Sequence, residues 1–311
     1  MQRREFLLTT AAALTAPLLR AADDAKTLSA EDRARGRDLV GLMGITTGSF
    51  AMHQRPPVTK PFALIELPKI MRDELDLKVI DLMTATFPYR DREYCERFRN
   101  EAEKTGRIVT NLKMNLEVDP ASGDADVRRA AIDAYKTAID SAAILGCRWV
   151  RPAPGAKPPD LELLAESYRE LIEYGAPKGI SLLIENNGWM SRDANALPEL
   201  YEAIGPGVGV QPDTGNWAPA VRDEGLTKAF PLAVSCDFKA FKLGPDGSHA
   251  DYDLRKCFDI GRRAGFRGPW CFEHFNADLP SLLKEFVVLR DLLSKWTAEN
   301  EKTDGQRKPG V

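Results

Sequence analysis

Short apolar runs rich in β-branched residues alternate with amphipathic stretches along most of the chain. Eight such runs occur, and their carboxyl ends lie roughly 30 residues apart, the length of one βα unit. The predicted ends are Thr46, Met83, Met114, Arg151, Glu185, Asp213, Lys242 and Glu273. Between the runs, apolar positions recur with the helical period, and several stretches end in glycine, as at Gly146, Gly175 and Gly265. The pattern predicts eight consecutive βα units.

Eight units without a linker-like interruption favour a single α/β domain. We predict one (β/α)8 TIM barrel over residues 38–297, followed by a polar tail over residues 299–311. A doubly wound open sheet is the alternative, because it also alternates strands with helices. In a barrel, side chains at the carboxyl ends of the strands converge on one mouth, so candidate chemistry is expected there.

The first residues of the chain have a different pattern from the rest. Arg3 and Arg4 precede Phe6 and an apolar run to about Leu19 that is too short to span a bilayer. This pattern is typical of a twin-arginine export signal, which we place at residues 1–22. We therefore expect a periplasmic or otherwise exported protein without stable membrane association. A chance basic N terminus or an uncleaved anchor is the alternative.

Charge and cysteine usage narrow the class of partner. The formal net charge is −3, and loss of the predicted signal, which has three arginines and one glutamate, takes it to −5. A protein that binds duplex nucleic acid needs a basic face, so nucleic acid is not expected as a partner. The five cysteines lack C-x-x-C spacing and are odd in number, which favours buried free thiols over a disulfide framework.

Three predicted strands end in an acid, namely Glu185, Asp213 and Glu273. Carboxylates that meet at one mouth repel each other and gain protons unless a positive centre lies between them. A divalent cation would relieve this repulsion, and oxygen ligands suit Mn²⁺ or Mg²⁺. For each acid alone, the alternative is that it caps the next helix or pairs with an arginine.

The sequence resembles the xylose-isomerase-like TIM-barrel superfamily, often labelled sugar phosphate isomerase/epimerase. The resemblance spans nearly all of the mature chain and is most specific in "LLIENN", "VQPDTGNW" and "DYDLRKCFDIGRRAGFRGPWCFEHF". It implies a metal bound by Glu on strand five, Asp on strand six, His on strand seven and Glu on strand eight. By position these ligands are Glu185, Asp213, Asp237 and Glu273, with Asp237 in place of the histidine.

Two departures from the family bear on the metal. Asn216 stands where many members have a histidine, three residues after the strand-six Asp. Asp237 could act as a fourth oxygen ligand in place of the strand-seven histidine. Alternatively, Lys239 could itself supply the positive charge among the acids, and then no metal would be required.

Other side chains at the predicted mouth are candidates for substrate binding. Their alternatives are ordinary: Arg151 could pair with an acid, Trp217 could pack as a lid, and His53 could be a solvated loop residue. Lys113 and Asn115 flank the end of strand three and are weaker candidates. The predicted substrate-binding residues are Asn187, Asn216, Arg151, Lys239, Trp217 and His53.

The resemblance implies proton transfer next to the carbonyl of a sugar, with Glu185 and Glu273 as the catalytic pair. One carboxylate would remove a proton and the other would return it. Return on the opposite face gives epimerisation, and return at the adjacent carbon gives isomerisation. An exported enzyme is expected to meet a free or oxidised sugar, so the expected partner is a small-molecule carbohydrate. A homo-oligomer is compatible with this prediction.

The sequence is also compatible with three other functions. The same acidified C–H could expel a leaving group from a keto-glycoside, which would make the protein a lyase. A non-catalytic carbohydrate-binding barrel is also possible, because the missing histidines could mark a decayed active site. Phosphodiester cleavage, as in the apurinic endonuclease branch, is disfavoured by the acidic charge and by the predicted export.

Overall fold

The computed structural model describes residues 36–306 except for residues 56, 57, 59, 116, 117, 154, 156 and 245. The predicted signal and the last five residues lie outside this part of the chain. Within the described residues, no helix is long and apolar enough to cross a membrane.

Eight parallel strands form one curled sheet, as predicted for a (β/α)8 barrel. The strands are β1 (Met43–Thr46), β2 (Val79–Met83), β3 (Ile108–Lys113), β4 (Trp149–Arg151), β5 (Ser181–Ile184), β6 (Val208–Val210), β7 (Cys236–Lys239) and β8 (Trp270–Glu273). Their order is β6-β5-β4-β3-β2-β1-β8-β7, with all neighbours parallel. Consecutive strands therefore lie side by side, and β8 returns to β1.

The ring closes between β6 and β7 through isolated bridges. Val210 pairs with Ala233, and Asp213 pairs with Asp237. The amide of Asp237 donates to the carbonyl of Pro212 at 2.9 Å, and the amide of Thr214 donates to the carbonyl of Asp237 at 3.0 Å. The backbone of two predicted site residues thus completes the barrel.

Helices follow the strands, as the amphipathic stretches predict. They are α1 (Leu67–Ile70), α2 (Arg92–Thr105), α3 (Ala125–Leu145), α4 (Leu161–Gly175), α5 (Ala196–Ile204), α6 (Arg222–Ala229), α7 (Leu254–Arg263) and α8 (Leu279–Gln306). Four of them begin at an aspartate whose side chain accepts a backbone N–H. These caps are Asp91, Asp124, Asp160 and Asp253. The last helix continues through the segment predicted as a polar tail as far as Gln306.

Some strand ends differ from the prediction by a few residues. β6 ends at Val210 instead of Asp213, because Pro212 has no N–H to continue a ladder. β7 ends at Lys239 instead of Lys242, since the chain turns after Ala240, whose amide bonds to the carbonyl of Glu273. These shifts leave Asp213 and Glu273 at the mouth.

Alternation along the strands divides the barrel interior into layers. A small buried cluster at the amino-terminal end includes Trp149, Leu183 and Cys271. Two residues further along the same strands lie Arg151, Glu185 and Glu273, and alternate residues of a strand share one face. An apolar floor therefore supports a polar mouth. All five cysteines are free and buried, as predicted.

Candidate active site

Three buried acids meet at the carboxyl end of the barrel. Glu185 is 3% exposed, and Asp213 and Asp237 are fully buried. One oxygen from each lies within 4.8 Å of the others, and we call these three residues the acidic triad. The fourth predicted ligand, Glu273, contacts the triad through Lys239. The Nζ of Lys239 lies 2.9 Å from Asp213 Oδ2 and 3.3 Å from Glu273 Oε2.

Two further cations face the triad from neighbouring strands. Arg151, at the end of β4, places Nε 3.1 Å from Glu185 Oε2. Lys113, at the end of β3, contacts Asp237 Oδ2 and lies 3.4 Å from Glu185 Oε2. The side chains of Lys113 and Arg151 are 1% and 2% exposed. Arg151 thus forms the ion pair that its sequence position left open.

Lys113 was only a weak candidate from the sequence, yet it lies in the centre of the site. The rule that selected the acids, a polar residue at the end of a barrel strand, also selects Lys113. The sequence does not show the relative height of the strands. That height brings this ammonium to one carboxylate directly after β5 and to another on β7.

Hydrogen bonds satisfy the remaining triad oxygens. Asn216 Nδ2 donates to Glu185 Oε1 at 3.0 Å. The amides of Gly215 and Asn216 donate to Asp213 Oδ1 at 2.7 and 3.0 Å. Thr46 Oγ1 donates to Asp237 Oδ1 at 2.8 Å. Each triad oxygen therefore faces a donor or a cationic nitrogen of the chain itself.

The charges shift the acids in opposite directions. Burial alone would raise the pKa of Glu185, but the positive charges of Arg151 and Lys113 outweigh burial and lower the pKa to about 2. Burial raises the pKa of Asp213 to about 6 despite the nearby ammonium of Lys239, and the neighbouring carboxylates add to this effect. Burial alone would lower the pKa values of Lys113 and Lys239. The nearby carboxylates outweigh burial, so both pKa values lie above the ordinary lysine value.

A second polar layer lies directly below the triad. Gln211, two residues before Asp213, donates from Nε2 to Asp81 Oδ2 at 2.7 Å. Its Oε1 accepts from Asn111 Nδ2 at 3.0 Å. The same Nε2 lies 3.4 Å from Asp237 Oδ1. This layer contacts the triad from beneath through Asp237.

The triad has a donor set that could bind a metal. Three carboxylates with oxygens this close offer the hard ligands that Mg²⁺ and Mn²⁺ prefer. Lys113 faces the same oxygens, and the whole site holds four carboxylates against two ammonium groups and one guanidinium, a formal charge of −1. The ligand chemistry fits a divalent cation, and internal cations already offset most of the negative charge.

The other predicted substrate-binding residues occupy different settings. Asn216 bridges Lys239 and Glu185, accepting from Nζ of Lys239 at 2.7 Å. Trp217 is 1% exposed and packs closely on Gly225, so it belongs to the core rather than to a sugar-stacking surface. Asn187 accepts the amide of Gly188 at 2.6 Å and shapes the turn after β5.

His53 lies at the rim, 6% exposed, with Nε2 2.8 Å from the backbone oxygen of Asn276. It is therefore a buried link between the first and last loops, not a solvated loop histidine. His53 and Asn276 belong to the segments that follow β1 and β8.

Among the described charged side chains of the site, those of Lys239 and Glu273 are the most exposed. Lys239 is 13% exposed and Glu273 10% exposed, whereas the side chains of Lys113, Arg151 and Glu185 are at most 3% exposed. Lys239 and Glu273 therefore form the charged side of the site nearest to solvent, beside the partly exposed Asn216.

Comparisons with known proteins agree with this architecture. A family model described as xylose isomerase-like TIM barrel matches residues 73–293. Among curated proteins, none matches the sequence. The similar solved structures share only 14–19% sequence identity with this chain, so this similarity shows the fold alone.

Three solved structures are similar over most of both chains. D-psicose 3-epimerase from Clostridium cellulolyticum H10, solved with D-tagatose, is 14% identical, with a TM-score of 0.67, covering 82% of this chain and 98% of its own. An L-ribulose 3-epimerase is 16% identical, with a TM-score of 0.67 and coverage of 86% and 99%. A xylose isomerase-like TIM barrel protein from Mycobacterium smegmatis, in complex with magnesium, is 19% identical, with a TM-score of 0.59 and coverage of 85% and 98%.

Proposed function

The chain belongs to the xylose isomerase-like TIM barrel family, and on this premise we propose that it is a sugar isomerase or epimerase. The proposed reaction is proton transfer at a carbon next to a carbonyl. The supporting observation is a hydrogen-bonded chain across the mouth, in which Asn216 and Lys239 connect the carboxylate of Glu185 to that of Glu273. The two carboxylates can exchange protons with a substrate bound between them. The amide of Asn216 and the ammonium of Lys239 can stabilise the negative charge that develops on the substrate.

We propose a distinct role for each of four residues of the site. Arg151 and Lys113 hold Glu185 in the ionised form, and we assign it as the proton acceptor. Glu273 is the carboxylate nearer to solvent, so it takes up a solvent proton and delivers this proton to the carbon. Lys239 and Asn216 face the substrate oxygens, where the ammonium stabilises the negative charge that develops at the carbonyl oxygen.

The proposed cofactor is Mn²⁺ or Mg²⁺ at the acidic triad, with Glu273 as the fourth predicted ligand. When bound, the metal would polarise the carbonyl and acidify the adjacent C–H. In the absence of a metal, Lys239 is the group best placed to supply positive charge to the substrate, since it already lies between two carboxylates at the open side.

The site and the similar structures together support the proposed substrate class. Two similar structures are named D-psicose 3-epimerase and L-ribulose 3-epimerase. For this chain we propose a free or oxidised sugar, in keeping with the predicted export.

Replacement of Arg3 and Arg4 by lysine should retain the precursor in the cytoplasm, and unchanged export of that variant would contradict the twin-arginine signal.

Proton exchange tests the reaction directly. Free and 3-keto sugars are incubated in D₂O with the protein and Mn²⁺ and followed by NMR. We expect deuterium at one carbon next to the carbonyl, and loss of at least about 100-fold of that rate in both Glu185→Gln and Glu273→Gln. The exposed Glu93→Gln is the matched control and should retain the wild-type rate.

The same experiment separates the remaining alternatives. Inversion at the labelled carbon identifies an epimerase, and a carbonyl moved to the next carbon identifies an isomerase. Release of an alcohol identifies the lyase. Sugar binding without exchange in any member of the panel would contradict the proposal and favour a carbohydrate-binding barrel.

A further inference from the structure

Two lysines divide the four acids of the site between them. Lys239 lies between Asp213 and Glu273 on the open side of the mouth. Lys113 lies between Glu185 and Asp237 on the closed side. The ammonium group of Lys113 therefore faces two members of the acidic triad, the group whose oxygens could hold a metal.

Lys113 forms its ion pairs with two acids of the triad. Its side chain is 1% exposed, and the hydrogen bond and ion pairs of its Nζ join it to Asp237 and Glu185. A buried ammonium is costly unless paired, and two buried carboxylates at this separation repel each other. Each side of this arrangement therefore compensates the other, and the triad is held together by the chain alone.

A lysine ammonium and a divalent cation cannot favourably face the same oxygens. Both are positive and repel at short range in a buried site, where the effective dielectric is low. The two oxygens that Lys113 faces, Glu185 Oε2 and Asp237 Oδ2, belong to two of the three potential ligands. Metal entry must work against this charge.

We propose that Lys113 is a positioning residue that serves as the resident cation of the acidic triad. It keeps Glu185 and Asp237 together when no metal is bound, and it competes with a divalent cation for their oxygens. This inference rests on the proposed function, because it concerns the cofactor of that site. It predicts weak metal binding in the wild type and tighter binding once the charge of Lys113 is removed.

The test is Mn²⁺ binding to the full-length wild type and to Lys113→Met, measured by EPR titration without sugar. Methionine has a similar length without the charge. We expect Lys113→Met to bind Mn²⁺ at least about tenfold more tightly than the wild type. In EDTA its melting temperature should lie below the wild-type value, and Mn²⁺ should raise it by more than it raises that of the wild type.

Two variants separate charge from packing. Lys113→Arg retains the positive charge and should retain the weak Mn²⁺ binding of the wild type. Lys136→Met removes an ion pair with Glu170 that joins helices α3 and α4, and it should leave Mn²⁺ binding unchanged. Equal or weaker Mn²⁺ binding in Lys113→Met overturns the proposal.

If neither Lys113 variant can be purified, the wild type decides alone. We expect a Kd for Mn²⁺ weaker than roughly 10⁻⁴ M, and a micromolar Kd overturns the proposal. These titrations need no turnover, so they can fail while proton exchange succeeds. If the wild type does not bind Mn²⁺ and Lys113→Met does, the proposal for Lys113 is supported. The proposed reaction would then proceed without Mn²⁺ and would otherwise be unchanged.

Discussion

Glu185 illustrates how one side chain can be both buried and charged. Its carboxylate is held by Arg151, Lys113 and Asn216, so the ionised form is favoured although solvent is excluded. A neutral replacement would leave the guanidinium and the ammonium facing an uncharged amide. Stability should therefore depend on this residue, in a way that changes with pH.

We expect Glu185→Gln to lower the free energy of unfolding by about 3 kcal/mol at pH 7. The folded-state pKa of Glu185 is about 2, below the ordinary value of 4.5. The stability that ionisation provides is thus present above pH 4.5 and is lost as the pH falls towards 2. The difference between wild type and variant should shrink over that range.

Urea unfolding in EDTA at pH 7, 5 and 3 would measure this difference. The exposed Glu93→Gln should stay within about 0.5 kcal/mol of the wild type at each pH. A constant difference between Glu185→Gln and the wild type would mean that Glu185 is not held ionised by its neighbours.

Single residues also show how far sequence reasoning extends. The position of an acid at the end of an apolar run was sufficient to locate Glu185, Asp213 and Glu273. The same position could not tell that Lys113 enters the triad or that Trp217 turns into the core. Those outcomes depend on the stagger between strands and on the backbone path after β6, which local pattern does not encode.

The segment after β6 holds the site by backbone geometry. Asp213 accepts two amides of the following turn, and this places Asn216 between Glu185 and Lys239. Gly215 lies in that turn against the stem of Lys239. A Cβ at this position would lie 2.7 Å from Lys239 Cδ and 2.8 Å from the hydroxyl of Tyr252.

Gly215→Ala should therefore displace Lys239 from Asp213 and Glu273. We expect a loss of about 1–3 kcal/mol in the free energy of unfolding, together with a clear loss of proton exchange. Gly123→Ala is the matched control, since a Cβ there meets no atom within 4 Å. Chemical unfolding and the NMR exchange assay measure the two effects, and wild-type exchange in Gly215→Ala would contradict the role of Lys239.

At the level of elements, the period of the apolar runs predicted the order of strands and helices, but not every boundary. The run "CDFKAFKL" continues its apolar character past Lys239, so the predicted strand seven was too long. The hydrogen bond from the Ala240 amide to the carbonyl of Glu273 continues the β7–β8 ladder, and the chain turns directly after it. The period of the apolar residues does not report this turn.

The first loop and the last helix of the whole molecule are joined by a polar network beside Glu273. His274 is 2% exposed, contacts the carbonyl of Ala240, and places Nε2 2.6 Å from Glu285 Oε2. Glu285 also accepts from Asn276, whose backbone oxygen contacts His53. The network holds the end of β8 to α8.

Glu285→Ala would leave the buried Nε2 of His274 without its partner. We expect a loss of about 1–3 kcal/mol in the free energy of unfolding and a reduced rate of proton exchange, because the neighbouring Glu273 loses support. Lys284→Ala, at an exposed position of the same helix, should change neither quantity. Thermal unfolding and NMR exchange provide the measurements. An unchanged melting temperature in Glu285→Ala would show that the network does not stabilise the barrel.

The barrel joint between β6 and β7 has a mechanical consequence for its occupant. That joint consists of isolated bridges, and one of them joins the main chains of Asp213 and Asp237, whose side chains face the mouth. A ligand that binds both carboxylates also crosslinks β6 and β7, the strand pair that only isolated bridges join in the described structure. Across a series of ligands, higher affinity for the two carboxylates should therefore be accompanied by a higher melting temperature.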